Sequence, residues 1–163
     1  MSREMPINVF EILDGLKQER YRTLILHSVP EKSPFMSRFS QKLCERSNGK
    51  YLDLLEFFIQ SSVLSERIDS YNPENLRELL IEQSKNQSLL VVDRADFLLD
   101  TWHKSERQNF YRFINNQWDS FKEGMKSTLV MVLQTSQEIE ALKMVDSHGR
   151  SRIFRLDDFM DIV

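Results

Sequence analysis

The fold of this chain is decided by the stretch Thr23-Leu24-Ile25-Leu26-His27-Ser28-Val29-Pro30-Glu31-Lys32-Ser33-Pro34. The short apolar run at its start, bounded by Arg22 and His27, is typical of a buried strand. A turn over residues 28–32 follows. Ser33 can then cap a helix, and Pro34 suits its first turn because proline lacks an N–H that this turn leaves unpaired. The stretch therefore predicts a strand, a turn and a helix in immediate succession.

The same alternation continues on both sides of this stretch. Apolar residues at helical spacing predict a helix from Pro6 to Leu16, and Phe35, Phe39 and Leu43 extend the second helix to residues 48–49. Residues 54–64 fit either a helix or a strand. Further strands are predicted at 51–54, 88–93, 128–134 and 152–156, and helices at 73–80, 95–99, 105–121 and 135–144. About five strands interleaved with helices predict an α/β protein with a three-layer αβα architecture and a mainly parallel five-stranded sheet.

Composition limits the class of protein. The chain has 163 residues with only 4 Gly and 4 Pro and no polar linker, so a single domain over residues 1–163 is expected. Its one cysteine, Cys44, excludes an internal disulfide and indicates a reducing, cytoplasmic location. No apolar run reaches membrane-spanning length, and no membrane association is expected. A net charge of −3 gives no general sign of nucleic-acid binding.

Three predicted strands end in polar residues that carry the candidate chemistry. Open parallel sheets bind ligands outside the carboxyl ends of their strands, so these residues are expected at one edge. Lys32 and Ser33 follow the first strand at a helix start, where backbone N–H groups and the helix dipole favour phosphate. Asp93 ends an apolar strand and can reach a magnesium ion or its waters. Gln134 and Thr135 end another strand, where they can sense a terminal phosphate.

The order of these features resembles that of P-loop NTPases of the AAA-like division, over about residues 22–156. In size and layout the chain is similar to the small P-loop subunit of bacteriophage-exclusion (BREX) defence systems. The resemblance implies ATP with Mg²⁺ as cofactor, with Ser33 and Asp93 at the metal. It implies nucleotide contacts from Glu31, Lys32, Ser33 and Thr135 and catalytic roles for Asp93, Asp96 and Gln134. It also implies other protein subunits as partners, a possible homo-oligomer, and DNA reached through partners.

The phosphate-binding loop departs from the family pattern. Leu26 and Glu31 stand where the pattern has glycines, which let the backbone turn tightly around phosphate. Glu31 also adds a negative charge, and Pro34 offers no N–H to an anion. Arg94 replaces the glutamate expected after the strand aspartate, and Asp96 is the nearest substitute. These departures predict a retained fold with a degenerate loop, and no cofactor if the loop is inactive.

Ordinary structural roles compete with each candidate. Lys32 and Ser33 can be a solvated turn followed by a helix cap. Asp93 can cap the next helix instead of binding metal, and Gln134 and Thr135 can be capping groups.

Three functions remain open from the sequence. The first is a non-catalytic or weakly active subunit that works by protein association, in a bacterial assembly such as phage defence. The second is an ATPase with a non-standard loop, in which Arg150 or Arg152 acts on a neighbouring subunit's nucleotide. The third is a DNA-handling module that uses residues 104, 107 and 112 on one helix. Scattered histidines and a single cysteine predict no zinc site.

Overall fold

The computed structural model describes residues 5–118 and 127–163. Phe121, which helical spacing places on the apolar side of the long helix, lies outside these residues. The eight helices of the described residues are α1 Val9–Leu16, α2 Ser33–Ser47, α3 Leu54–Ile59, α4 Ser62–Glu66, α5 Pro73–Ser84, α6 Asp96–Leu99, α7 Lys104–Asn116 and α8 Gln137–Ala141. Their strands are β1 Thr23–Ser28, β2 Lys50–Asp53, β3 Leu89–Asp93, β4 Thr128–Gln134 and β5 Ile153–Arg155. Three-residue 3₁₀ turns lie at Pro30–Lys32, Ile68–Ser70 and Leu156–Asp158.

The five strands form one parallel sheet in the order β2-β3-β4-β1-β5. In this register Thr23 lies beside Leu129, and Ile25 lies beside Ile153. Every residue of β1 and of β3 is buried, as expected for strands covered by helices on both faces. The predicted α/β class, with a parallel five-stranded sheet in a P-loop-like three-layer arrangement, is confirmed.

Each face of the sheet has its own hydrophobic core, because successive strand residues point to opposite faces. On one face Ile25 and Met131 belong to a cluster with Leu80 of α5 and Phe110 of α7. On the other face the neighbouring residues belong to a second cluster with α1 and α2, formed around Leu24, Leu26, Leu13, Phe39 and Phe159. The two cores fix the sheet between helical layers and leave the carboxyl ends of the strands at one edge.

Two capping predictions are wrong. Ser33 does not cap α2 but is its first residue, and its hydroxyl donates to the Pro30 carbonyl at 2.7 Å. Thr135 does not cap α8, because Ser136 holds that position and accepts a hydrogen bond from Ile139 N at 3.1 Å. In both cases the helix boundary differs by one residue from the sequence pattern, so the predicted capping hydroxyl points elsewhere.

Two further local questions are decided by backbone conformation. Asp93 does not cap α6, since Ala95 occupies the cap position. Residues 54–64 contain α3 and the start of α4, with residues 60–61 between the two helices, and no strand. Asp53 ends β2 and accepts a hydrogen bond from Glu56 N at 3.2 Å, so it caps α3 and stops the strand.

Candidate functional site

The loop between β1 and α2 is closed by its own hydrogen bonds. Lys32 N donates to Val29 O at 3.0 Å, and the Ser33 backbone N–H donates to Pro30 O. Pro30 and Pro34 have no N–H to offer. A phosphate-binding loop works through several backbone N–H groups that converge on the anion. Pro30–Lys32 instead form a 3₁₀ turn that continues directly into α2 at Ser33, with the Lys32 and Ser33 N–H groups already bonded.

The Lys32 side chain is engaged within the chain. Its Nζ lies 3.0 Å from Asp157 Oδ1, and the Ser28 hydroxyl donates to the same oxygen at 3.2 Å. Asp157 belongs to the 3₁₀ turn that follows β5, the neighbour of β1 in the sheet. The Asp157 carboxylate therefore pairs with Lys32 as a phosphate oxygen would in a phosphate-binding loop. Glu31 is exposed on the same turn.

Asp93 is held by three hydrogen-bond donors. It is only 2% exposed; its Oδ2 accepts from Ser37 Oγ at 2.6 Å and from Tyr51 OH at 2.7 Å, and its Oδ1 accepts from Arg94 N at 2.9 Å. Burial, followed by the hydrogen bond to Asp93, raises the pKa of Tyr51, which keeps that phenol protonated as a donor. An ionised carboxylate has about four acceptor positions, and three are used here. The arrangement ties α2, β2 and β3 together and leaves little of the carboxylate for a metal.

Arg94 stands where the resemblance expects a glutamate. Its Nε lies 3.0 Å from each carboxylate oxygen of Asp53, and its Nη2 also contacts that carboxylate. This hydrogen-bonded pairing raises the pKa of Arg94. The backbone of Arg94 is left-handed, with φ of 55°, a conformation that side chains with a Cβ rarely adopt. A strained residue thus carries a cation, paired with Asp53, at the position where a water-activating carboxylate would be needed.

A small cavity brings four of the predicted site residues together. It has a volume of about 160 Å³, and Ser33, Asp93, Asp96 and Gln134 are among its lining residues. Asp96 Oδ1 accepts a hydrogen bond from Gln134 N at 2.9 Å, which joins the ends of β3 and β4. Burial raises the pKa of Asp96 to about 6. The cavity therefore contains a carboxyl group that can exchange a proton near neutral pH, whatever the state of the loop.

The remaining predicted residues are not part of that cavity. Lys32 and Glu31 do not line it, and neither does Thr135. The Thr135 hydroxyl lies 2.7 Å from His27 Nδ1, and burial, helped by the charge of Arg155, lowers the pKa of His27. Thr135 therefore bonds a neutral buried imidazole and has no phosphate-sensing geometry with Lys32.

The arginines of the alternative hypotheses have defined partners. Arg152 is 4% exposed, and its guanidinium donates to Thr23 Oγ1 and to Asn115 Oδ1, both at 2.6 Å. Burial lowers the pKa of Arg152. This residue is enclosed and cannot reach a neighbouring subunit, whereas Arg150 is exposed and pairs with Asp146.

The positive charge on the helix face proposed for DNA binding is partly neutralised within the chain. Arg107 forms a two-point ion pair with Glu138, with Nε to Oε2 at 2.7 Å and Nη2 to Oε1 at 2.9 Å. Its Nη1 donates to Trp102 O at 2.5 Å. Lys104 and Arg112 are the remaining cations of that face, and Arg112 Nη1 bonds Asn109 Oδ1. The face therefore offers DNA less free positive charge than its sequence indicates.

Sequence reasoning missed the residues that complete the site. Asp157 pairs with Lys32 and is itself bonded by Ser28. Ser37 and Tyr51 hold Asp93, and Asp53 holds Arg94. One signal was available, since each of Ser28, Asp53 and Asp157 is at or just after the end of a strand. Which strand ends become neighbours depends on the order of strands in the sheet, and local patterns do not give that order.

Within residues 5–118 and 127–163, no group of three or more His, Cys, Asp or Glu side chains is arranged to hold a metal ion. In the same residues no helix has the length and apolar character needed to cross a membrane. Comparison with protein-family models, curated proteins and solved structures finds no significant match to this chain. Its function is therefore inferred from its own geometry and from the resemblance of its motif order to AAA-like P-loop NTPases.

Proposed function

We propose that this chain is a P-loop-fold subunit that does not turn over nucleotide and that works by association with other proteins in a bacterial assembly of the phage-defence kind. The observation that carries the proposal is the ion pair between Lys32 and Asp157. A phosphate-binding lysine acts through an unneutralised charge beside free N–H groups. Here the charge has an internal partner, the N–H groups of Lys32 and Ser33 are already bonded, and Pro30 and Pro34 have no N–H.

The second strand end supports the same proposal. Asp93 is buried among three donors, and Arg94 places a guanidinium where hydrolysis would need a base. These three hydrogen bonds leave only about one acceptor position of the Asp93 carboxylate for a metal ion. The site residues thus serve mainly to fasten helices to strands, and the fold is kept as a scaffold.

The cellular setting follows from the resemblance and the composition. A subunit of this kind acts in the cytoplasm, which agrees with its single buried cysteine, Cys44. Its partners are other protein subunits, and these can include further copies of the chain. DNA is then reached through those partners.

The test is isothermal titration calorimetry of ATP with Mg²⁺ into three purified proteins: wild type, Lys32→Ala and Lys17→Ala. Lys17 is a matched control, because it also forms an exposed ion pair, with Asp14, but lies outside the loop. We expect no saturable heat from any of the three proteins. Saturable binding that disappears in Lys32→Ala and persists in Lys17→Ala would overturn the proposal. In the assembly, Lys32→Ala is expected to leave activity unchanged.

One observation favours a second function, an ATPase with a non-standard loop. Ser33, Asp93, Asp96 and Gln134 line one cavity, and Asp96 has a pKa of about 6, suitable for accepting a proton from water. This function predicts Mg²⁺-dependent hydrolysis, by the chain alone or with its partners, that is lost in Asp96→Asn. Absence of hydrolysis in both preparations would remove it.

A further inference from the structure

A second and larger cavity shares Asp96 and Gln134 with the first. Its volume is about 440 Å³, and it is enclosed by α6, α7, α8 and the end of β4. Polar side chains dominate its lining and include Asp96, Asp100, Tyr111 and Gln134. Its volume is in the range of pockets that hold small ligands or single side chains.

The charge of this cavity is negative and incompletely neutralised. Among the described residues that line it, Arg107 is the one cation, and it is matched by the two oxygens of Glu138. Asp96 and Asp100 are four residues apart on α6 and its C-cap, so they face the same side. Within the part of the chain that the structure describes, no hydrogen bond or ion pair reaches the Asp100 carboxylate. The free charge therefore comes from these two aspartates.

Tyr111 adds a buried hydroxyl to the lining of this cavity. The residue is 4% exposed, and no described residue hydrogen-bonds its hydroxyl. Burial is the main cause that raises the pKa of Tyr111. Smaller effects on this pKa come from the charges of Glu138, Arg107, Asp96 and Asp100. All four line the cavity, and so does Tyr111 itself. A buried polar group without a partner costs roughly 1–3 kcal/mol, so a ligand that bonds it recovers this energy.

We infer that this cavity receives a guanidinium group, presented by an arginine of a partner protein. Two carboxylates and a phenol oxygen offer acceptors in several directions, and a guanidinium has five N–H donors with which to meet them. An ammonium group has only three N–H donors, all on a single nitrogen. An anion would be repelled by the carboxylates of Asp96 and Asp100. That the guanidinium belongs to a protein rests on the proposed function, which gives the chain protein partners.

The experiment is an NMR titration of the full chain with N-acetylarginine amide and, as a matched neutral probe, N-acetylcitrulline amide. We expect saturable shifts of cavity residues with the arginine probe and none with citrulline. Asp100→Asn, at an exposed position, is expected to weaken arginine binding roughly tenfold, the effect of one charged hydrogen bond. Tyr111→Phe, which keeps the ring, is expected to weaken it several-fold. Asp69→Asn, at an exposed carboxylate elsewhere, leaves binding unchanged.

The inference is overturned if the arginine probe does not saturate, if citrulline binds equally, or if both cavity variants bind as the wild type does. The source of the group is tested with a capped Gly-Arg-Gly peptide and with agmatine. Peptide binding at least as tight as agmatine binding supports a protein partner, and agmatine binding without peptide binding overturns that part. ATP binding that depends on Lys32 would overturn the proposed function and leave the cavity result standing, so the two failures are distinguishable.

Discussion

Lys32 Nζ and Asp157 Oδ1 lie 3.0 Å apart and connect the turn after β1 to the turn after β5. Lys32 and Asp157 are 49% and 40% exposed at their side chains, so water screens the pair and its contribution to folding is at most about 1 kcal/mol. Its importance is chemical, because the lysine that would attract a phosphate has a carboxylate beside it already.

Asp157→Asn is expected to convert Lys32 into a free cation and to produce weak, millimolar binding of tripolyphosphate. NMR shifts of residues 29–33 during a titration would detect it. Asp158→Asn changes net charge equally but does not contact Lys32, and it should show no such binding. Equal behaviour of the two variants would mean that Asp157 does not control the Lys32 charge.

Tyr51→Phe is expected to destabilise the protein by about 1–3 kcal/mol, because the buried Asp93 carboxylate loses a donor. Tyr21→Phe is the control: no described group bonds the Tyr21 hydroxyl, and this variant should change stability by less than about 0.5 kcal/mol. Chemical denaturation measures both. A Tyr51→Phe protein as stable as wild type would show that Asp93 does not need the phenol.

Asp96 gives stability a dependence on pH. Its folded pKa, about 6, lies above the value of about 3.9 expected when unfolded. The folded state therefore binds the Asp96 proton more tightly than the unfolded state does. The stability that this proton contributes is present in full below about pH 4 and is lost as pH rises through about 6. At neutral pH the ionised, buried carboxylate costs up to about 3 kcal/mol.

Asp96→Asn keeps an acceptor for Gln134 N and removes the charge, so it should be more stable than wild type at neutral pH by roughly 1–3 kcal/mol. The difference should shrink as pH falls through about 6 toward 4. Urea unfolding of both proteins across this range measures it. A difference that does not vary with pH would contradict the raised pKa of Asp96.

Arg152→Ala is expected to cost about 3 kcal/mol or more, because it removes a buried guanidinium that donates to the buried Thr23 hydroxyl and to the half-buried Asn115 side chain. Arg150→Ala removes an exposed arginine two positions away and should cost less than about 1 kcal/mol. Thermal unfolding separates the two. Similar losses would show that the Arg152 guanidinium is not a buried structural element.

Gly49 follows the left-handed Asn48 at the end of α2 and lies close to β3. A Cβ at this position would be 2.9 Å from Leu89 Cδ2, so Gly49→Ala should destabilise by about 1–3 kcal/mol through overpacking. Gly15 in α1 has open space at the same atom, and Gly15→Ala should stabilise by about 0.5–1 kcal/mol. Denaturation midpoints would show opposite shifts, and shifts of one sign would contradict the packing at Gly49.

The architecture could be predicted because it depends on local patterns. Continuous apolar runs such as 128–134 appear as strands that are buried on both faces, and helical spacing gave most helices between them. The boundaries were less certain where a hydroxyl could cap from either of two positions. Thr135 and Ser136 are adjacent, and the hydroxyl of either could cap α8. Thr135 contacts His27, and Ser136 is the cap.

The site was predictable only in part. Strand ends gave Ser33, Asp93, Asp96 and Gln134, which share a cavity. Lys32 was placed at the correct turn, but its partner comes from the other end of the chain. No pattern in one sequence shows that residue 157 faces residue 32, because this follows from β5 lying beside β1. The Tyr111 hydroxyl, which no residue in the described ranges bonds, is likewise recognised only when helices and sheet are packed together.

The register of the sheet also governs how the protein can fold during synthesis. The strand β1 lies between β4 and β5, pairing Thr23 with Leu129 and Ile25 with Ile153. As the ribosome releases the chain, β1 must wait for β4 and β5 before either of its edges is covered. Such distant pairings slow folding and leave an apolar edge open to other nascent chains. Chaperone capture of ribosome-bound chains is therefore expected to end only after β4 has emerged.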